Sequence, residues 1–309
     1  MDYVLHLAVM ICIYSTLAVS LDVLVGRMGV LSLAHAASYG IGAYTSALLA
    51  VHAGWPFVVA VPAGMTVAAV LSLFVSLPSM RLHGEYFVIA TFGFQLILFS
   101  IFNNWMDVTR GPLGIVGIPR PAILGREVST NAEFALIAIV FAFLAFMIVG
   151  LLSNSPLGRV LNAIREDELF AKACGKATLC FKVTAFAVSS ALAASAGGLY
   201  AQYVTFIDPT SFTLMESVLV LSMVIIGGSG SLRGPLLGAI ILVSLPEALR
   251  FIGLPPAAAA NLRQIIYGAL VVIMMLVRTQ GLVGRYAFSV KPSSRAIERL
   301  GCAGKSETK

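Results

Sequence analysis

Long, nearly unbroken apolar runs lie near residues 3–25, 30–51, 55–78, 84–102, 132–152, 183–205, 214–228, 235–250 and 262–278, separated by charge, glycine and proline. A bilayer core takes about 20 mostly apolar residues per helix, so each run is a candidate span. Composition forces the same reading, with 59% of the 309 residues hydrophobic and 11% charged. A soluble domain runs nearer ~45–50% apolar and ~25% charged, and could not hide this much apolar surface. Soluble enzymes, nucleic-acid-binding proteins and disordered chains are therefore excluded. The runs show no period of two, which excludes a membrane β-barrel. The expectation is an all-α polytopic membrane protein of about 8–10 transmembrane helices.

Lysine and arginine orient these spans. With nine of them, one side holds Arg27, Arg81, Arg159, Arg165, Lys172, Lys176, Lys182 and Arg233 in its connections. The same side holds Arg278, Arg285, Lys291, Arg295, Arg299, Lys305 and Lys309 after the last span. The opposite side holds Arg110, Arg120, Arg126, Arg250 and Arg263. By the positive-inside rule the N-terminus is expected outside and the C-terminus in the cytosol. The net charge of +6 has the same origin and does not point to nucleic acid. Met1-Asp2-Tyr3 lacks the basic start of a signal peptide, and no small-residue cleavage site precedes Arg27, so the first run is expected to be a retained helix. Cys12, Cys174, Cys180 and Cys302 show no metal-ligand spacing and are expected as free thiols.

Residues 1–284 thus form a transmembrane domain, and 285–309 a basic cytosolic tail. Two connections within the domain are long. The extracytoplasmic one, 103–131, offers Asn103, Asp107, Arg110 and Arg120 as a polar rim. The cytosolic one, 153–182, opens on Ser155-Pro156, a helix-start pair. Val160, Leu161 and Ile164 follow at helical spacing, and Leu169 and Phe170 continue the set. It reads as two short amphipathic helices that present these five side chains as one packing face, ended by Gly175. The mixture of Arg165, Asp167 and Glu168 suits a protein partner better than anionic lipid.

Small residues recur four apart in three places: Ala34, Ser38 and Gly42; Ser190, Ala194 and Gly198; and Gly230, Gly234 and Gly238. In lipid this spacing lets helix backbones approach closely. Two of these sets lie in glycine-broken segments at corresponding positions of two repeat-like halves, which is the sequence sign of a transporter. Candidate pathway residues in the broken segments are Ser32, His35, Ser38 and Tyr39, with Ser229 and Ser231 in the second half. Gln95, a lone amide among apolar residues, joins them. Tight packing alone accounts equally well for these small residues and hydroxyls.

Ionisable residues inside the runs are few, namely His6, Asp22, His35, Glu216 and Glu247, which is a thin supply for an ion-coupled carrier. No triad, metal cluster or paired carboxylates suggest an enzyme. Gly304-Lys305-Ser306 imitates the end of a phosphate-binding loop, but that motif needs a glycine at position 299, where Arg299 stands. The chain is therefore not expected to hydrolyse ATP or to bind a cofactor or metal of its own.

Blocks along almost the whole chain resemble the membrane permease subunits of branched-chain (hydrophobic) amino-acid ABC importers of the LivM type. They are GVLSLAHAASYGIGAY from Gly29, RLHGEYFVIATFGF from Arg81, TRGPLGI from Thr109, SPLGRVLNAIREDE from Ser155, MVIIGGSGSLRGPLLGA from Met223 and the segment 266–282. Permeases for urea and other small solutes are similar, and an ion-coupled secondary carrier is the rival class. The resemblance implies a bacterial inner-membrane importer with a second, homologous permease subunit, two cytosolic ATPases that hold the ATP, and an extracytoplasmic solute-binding protein. It also implies that the cytosolic loop seats in the ATPase, with Arg165, Asp167, Glu168, Ala171 and Gly175 as the coupling residues. Where that loop's motif has Glu and Ala, this chain has Leu169 and Phe170; Ala171 and Gly175 agree.

Overall fold

Apolar runs bounded by helix-start and helix-stop residues fold as helices in the computed structural model, which describes residues 2–82, 84–123, 126–128, 130–250, 256–277 and 280–284. The basic tail, 285–309, and Arg278 lie outside the described residues. Helix α1 (Asp2–Asp22) runs on as a π-helical turn, Val23–Met28. There follow α2 (His35–Ala53), α3 (Phe57–Ser79), α4 (Glu85–Asn104) and the short α5 (Met106–Thr109). Then come α6 (Asn131–Asn154), α7 (Pro156–Glu166), α8 (Glu168–Ala173), α9 (Thr178–Val204), α10 (Leu214–Gly227), α11 (Arg233–Arg250) and α12 (Pro256–Val277). A helix covers each of the nine apolar runs. By length and composition, 5 are apolar enough to cross a membrane: α1 with its π turn, α3, α4, α6 and α9.

Local chemistry sets the boundaries. Thr130 and Glu133 close a capping box at the start of α6, each side chain bonding the other's backbone N–H. Ser155 Oγ accepts from the Gly158 N–H at 3.3 Å, with Pro156 opening α7. The 103–131 connection before α6 carries three two-residue strands, β1 (Ile115–Val116), β2 (Ala122–Ile123) and β3 (Arg126–Glu127). β2 pairs with β3, while β1 pairs antiparallel with β4 (Phe206–Ile207), Ile115 opposite Ile207. This connection is thereby stitched to the one that follows α9. Asp107, Arg110 and Arg120 are exposed there, and Asn103 is half-buried.

Helices α1, α2 and α9 form the interior. Ile13, Leu17 and Leu21 of α1 and Ala193 and Leu199 of α9 are fully buried. The flanking α3, α4 and α6 expose Phe74, Ile89 and Phe143, an arrangement that lipid favours and water would not. Small residues decide which helices meet. A Cβ on Gly42 would lie 2.2 Å from the Ala194 carbonyl oxygen, and one on Gly197 would lie 2.0 Å from that of Tyr39. The first two small-residue sets therefore face each other across α2 and α9. The third packs α11 on α10, since a Cβ on Gly238 would lie 1.9 Å from the Met223 carbonyl oxygen.

Backbone atoms cannot give way as side chains do, so Gly197→Leu should force α9 off α2. The expected cost is at least about 3 kcal/mol, the upper range for an overpacked core. Thermal denaturation in detergent should show a large fall in Tm or loss of folded protein. Gly93→Leu on α4, where a Cβ meets nothing within 4 Å, should leave Tm nearly unchanged.

Candidate functional site at the two helix breaks

Between the π turn and α2 the chain unwinds. Gly29 turns it with φ of 75°, a left-handed conformation that glycine adopts without penalty. The first N–H groups of α2 then emerge inside the bundle with no helical partner. Other helices supply partners. The Ala36 N–H donates to Ser217 Oγ of α10 at 2.9 Å, and the Ala37 N–H donates to Gln95 Oε1 of α4 at 2.7 Å. Gln95 Nε2 donates onward to the Phe212 carbonyl at 2.8 Å. Just upstream, the Leu33 N–H donates to Thr91 Oγ1 at 3.2 Å and the Ala34 N–H to Ser32 Oγ at 3.4 Å.

His35 and Ser38 extend this lattice. Ser20 Oγ donates to the Leu17 carbonyl, and His35 Nε2 lies 2.7 Å from that hydroxyl and 3.2 Å from that carbonyl, which makes Nε2 the protonated nitrogen. Ser38 Oγ donates to Ser190 Oγ of α9 at 3.2 Å. Tyr39 packs against Phe212 and Tyr200, and its hydroxyl has no partner among the described residues. The structure therefore gathers Ser32, His35, Ser38, Tyr39 and Gln95 around one break, each 5% exposed or less.

The second break follows α10, where Gly228 and Gly230 take φ of 105° and 80°. Ser231 Oγ accepts from the Gly234 N–H at 3.1 Å and so caps α11. Ser229 is buried, and its hydroxyl has no partner among the described residues. The two breaks meet at Asp22, fully buried at the end of α1, whose Oδ1 accepts from the Gly230 N–H at 2.8 Å. Arg27 and Arg165 bring positive charge within reach of that carboxylate. Arg165, on α7, donates from Nη1 to the Gly26 carbonyl, and its side chain lies across Gly29.

Helices α7 and α8 form the predicted pair in the 153–182 loop, but they do not present one apolar face. Leu161 and Ile164 turn inward and are buried, whereas Leu169 and Phe170 are 77% and 67% exposed. The chain turns at Asp167, which leaves the helical conformation at φ of −153° and swings α8 away from the axis of α7. The acidic residues are engaged internally. Asp167 Oδ1 accepts from the N–H groups of Leu169 at 2.9 Å and Phe170 at 3.1 Å, capping α8. Glu168 lies 2.6 Å from Lys182 Nζ on α9 and 3.0 Å from Lys172 Nζ. Ala171 is buried. Gly175, with φ of 74°, ends α8 as expected, its N–H donating to the Lys172 carbonyl at 2.9 Å.

Ser217 and Thr91 cap the first break and were not singled out from the sequence, whereas Ser190, which bridges it, was read only as a small packing residue. Thr91 is a lone hydroxyl in an apolar run, the kind of signal that drew attention to Gln95.

Residues 3–275 match the family described as branched-chain amino acid transport system / permease component, and the chain belongs to it. It is 34% identical over 300 residues to the high-affinity branched-chain amino acid transport system permease protein LivM of Escherichia coli (strain K12), spanning 90% of this chain and 69% of that one. It is 27% identical over 233 residues to the probable branched-chain amino acid transport permease protein LivM of Methanocaldococcus jannaschii, spanning 72% of this chain and 67% of that one. Identity to the permease protein LivH of the same E. coli transport system is 24% over 292 residues, 88% of this chain and 91% of that one. No solved structure matches. The chain is thus a permease subunit of an ABC importer, and not itself the ATPase.

Gln95→Leu should strand the Ala37 N–H and the Phe212 carbonyl without partners. At about 1–3 kcal/mol for each stranded group, folding stability should fall by about 2–6 kcal/mol, read as a lowered Tm in detergent. Burial raises the Glu168 pKa, but the hydrogen bonds and charges of Lys182 and Lys172 outweigh it and hold the carboxyl below its ordinary 4.5. A depressed carboxyl stabilises fully above its unfolded pKa and loses that contribution as pH falls through the folded value. Hydrogen exchange across α8 should therefore be constant from pH 7 to about 5, after correction for intrinsic rates, and accelerate only at lower pH. Glu168→Gln should show the faster exchange already at pH 7.

Proposed function

We propose that this chain forms part of the translocation pathway for branched-chain aliphatic amino acids in an importer driven by ATPase subunits seated on α7 and α8. A second, homologous permease subunit and an extracytoplasmic solute-binding protein complete the assembly, in a bacterial inner membrane. The N-terminus lies outside, and the cytosolic face carries Arg27, Arg81, the α7–α8 loop and the basic tail. The outer connection, 103–131, with exposed Asp107, Arg110 and Arg120, is the contact for the solute-binding protein. Family membership and the relatives' described roles support the solute and the partners.

One observation carries the placing of the ATPase contact. Helix α8 holds two large apolar side chains, Leu169 and Phe170, in the open while Asp167, Glu168 and Gly175 fix its start, its flank and its end. Phe170 borders a groove of about 350 Å³ whose walls include Arg159, Val160, Ala163 and Lys176. Exposed anchors beside a groove, on a rigid support, are what a docking element needs. The five residues assigned to coupling from sequence then act chiefly by holding this element in place. Seryl and tyrosyl groups at the breaks stand as the candidate interior of the pathway.

Phe170→Asp combined with Leu169→Asp should abolish co-purification of the ATPase subunits from detergent extracts while the permease remains in the membrane. Undiminished co-purification would place the contact elsewhere. A Cβ at Gly175 meets nothing within 4 Å, so Gly175→Val acts only through its left-handed backbone, at a cost of about 1–2 kcal/mol. It should leave insertion intact and reduce uptake per ATP hydrolysed, measured at matched membrane abundance.

A further inference from the structure

A cavity of about 360 Å³ lies between α1, α10, α11 and α12. Its volume falls within the range of about 300–1,000 Å³ usual for small-molecule sites. None of the seven pathway residues chosen from sequence lines it. Its walls divide by chemistry. Met10, Leu219, Leu242 and Val243 supply an aliphatic side, while Tyr14, Glu247 and His6 supply a polar one. A second cavity, of about 500 Å³, shares Leu219 and Tyr267 with the first and is walled by Glu216.

Glu216 sits in the first turn of α10 and accepts from the Tyr14 hydroxyl at 2.6 Å. The ion pairs of Glu168 with Lys172 and Lys182 lie on α8 and α9, and neither involves Glu216. On the rim, Tyr3 donates to Glu247 and His6 Nδ1 lies 2.7 Å from the Tyr203 hydroxyl. A carboxylate held by tyrosine within a membrane span, beside an aliphatic wall, is costly unless something cationic uses it. The walls of the second cavity pair the hydroxyl-bearing Ser222 and Tyr267 with the aliphatic Val218, Leu219 and Leu221.

We propose that these two adjoining cavities, which meet at Leu219 and Tyr267 with Tyr14 of the first bonded to Glu216 of the second, together bind a zwitterionic aliphatic α-amino acid on its way across the membrane. Glu216, oriented by Tyr14, takes the ammonium group. His6 at the rim faces the carboxylate, and Met10, Leu219, Leu242 and Val243 enclose the side chain. The proposal rests on the importer reading above and adds the place and the polarity of the site. The break lattice around α2 is then the scaffold beside the site, because Gln95 and Ser217 are bonded to backbone groups and Ser38 to Ser190.

The test uses the whole importer, with its ATPases and solute-binding protein, in proteoliposomes loaded with ATP, and leucine and valine as probes. All variants are compared at equal amounts of assembled complex. Glu216→Gln should lower uptake of both amino acids by about tenfold or more, the scale of a lost charge-assisted hydrogen bond, with Glu216→Asp restoring most of it. Val243→Phe should lower the leucine-to-valine uptake ratio by about fivefold or more, since one methylene in an apolar pocket is worth about tenfold. Val243→Ala should raise that ratio or leave it at the wild-type value. Comparing ratios with wild type removes the selectivity of the solute-binding protein. If Glu216→Gln does not assemble, the Val243 ratios decide. Wild-type uptake with an unchanged ratio in Val243→Phe, or with full activity in Glu216→Gln, would overturn the site while leaving the importer reading intact. Wild-type vesicles that carry neither amino acid would instead overturn the importer reading.

Discussion

Lipid offers no hydrogen bonds to a peptide group, so a helix that starts inside a membrane bundle must find partners for its first N–H groups within the protein. Helix α2 meets this demand with side chains from two distant helices, Ser217 on α10 and Gln95 on α4. Each buried donor left unpaired would cost about 1–3 kcal/mol. The position of the break therefore fixes where α4 and α10 lie relative to α2. Gln95 also reaches the Phe212 carbonyl, so one amide ties three parts of the chain together. His35 and Ser38 do the same toward α1 and α9. Side chains thus stand in for backbone partners along the unwound segment and the first turn of α2.

The second break depends on the first helix rather than on its own flanks. Asp22 accepts from the Gly230 N–H, and Gly26 leaves no room for a side chain because Gly230 lies against it. A continuous set of contacts then runs from α8 into the bundle. Glu168 pins α8 to α9, Asp167 joins α8 to α7, and Arg165 on α7 grips the Gly26 carbonyl beside Asp22. Force applied at exposed Leu169 and Phe170 would enter the bundle where the two breaks touch. Small residues make such contact possible, since α2 meets α9 and α10 meets α11 at distances that a Cβ would close.

The sequence revealed helices and breaks well, for physical reasons. Twenty-residue apolar runs have one stable form in lipid, and Gly29, Gly175 and Gly228 stop helices because each takes a left-handed backbone. Small residues four apart announced close packing but not which helices would pair, since that depends on tertiary position. Side-chain roles were less legible. Hydroxyls at the breaks read equally well as pathway or packing, and the structure shows most of them bonded to protein groups. The loop's apolar residues shared helical spacing, yet the turn at Asp167 sent Leu161 and Leu169 to opposite surroundings. The cavity at Tyr14 escaped notice because its walls come from four helices spread across the chain, and no local pattern brings Met10, Leu219 and Val243 together.

The claim at the centre of this account is that side chains from α4 and α10 replace the missing helical partners of α2. Amide hydrogen exchange at Ala36 and Ala37, measured in lipid nanodiscs, tests it directly. Both amides should be as protected as the middle of α2 in the wild-type chain. In Ser217→Ala the Ala36 amide should exchange about tenfold faster or more, the equivalent of about 1.4 kcal/mol, while Ala37 stays protected by Gln95. Equal protection of Ala36 in Ser217→Ala and wild type, with the protein folded, would contradict the account.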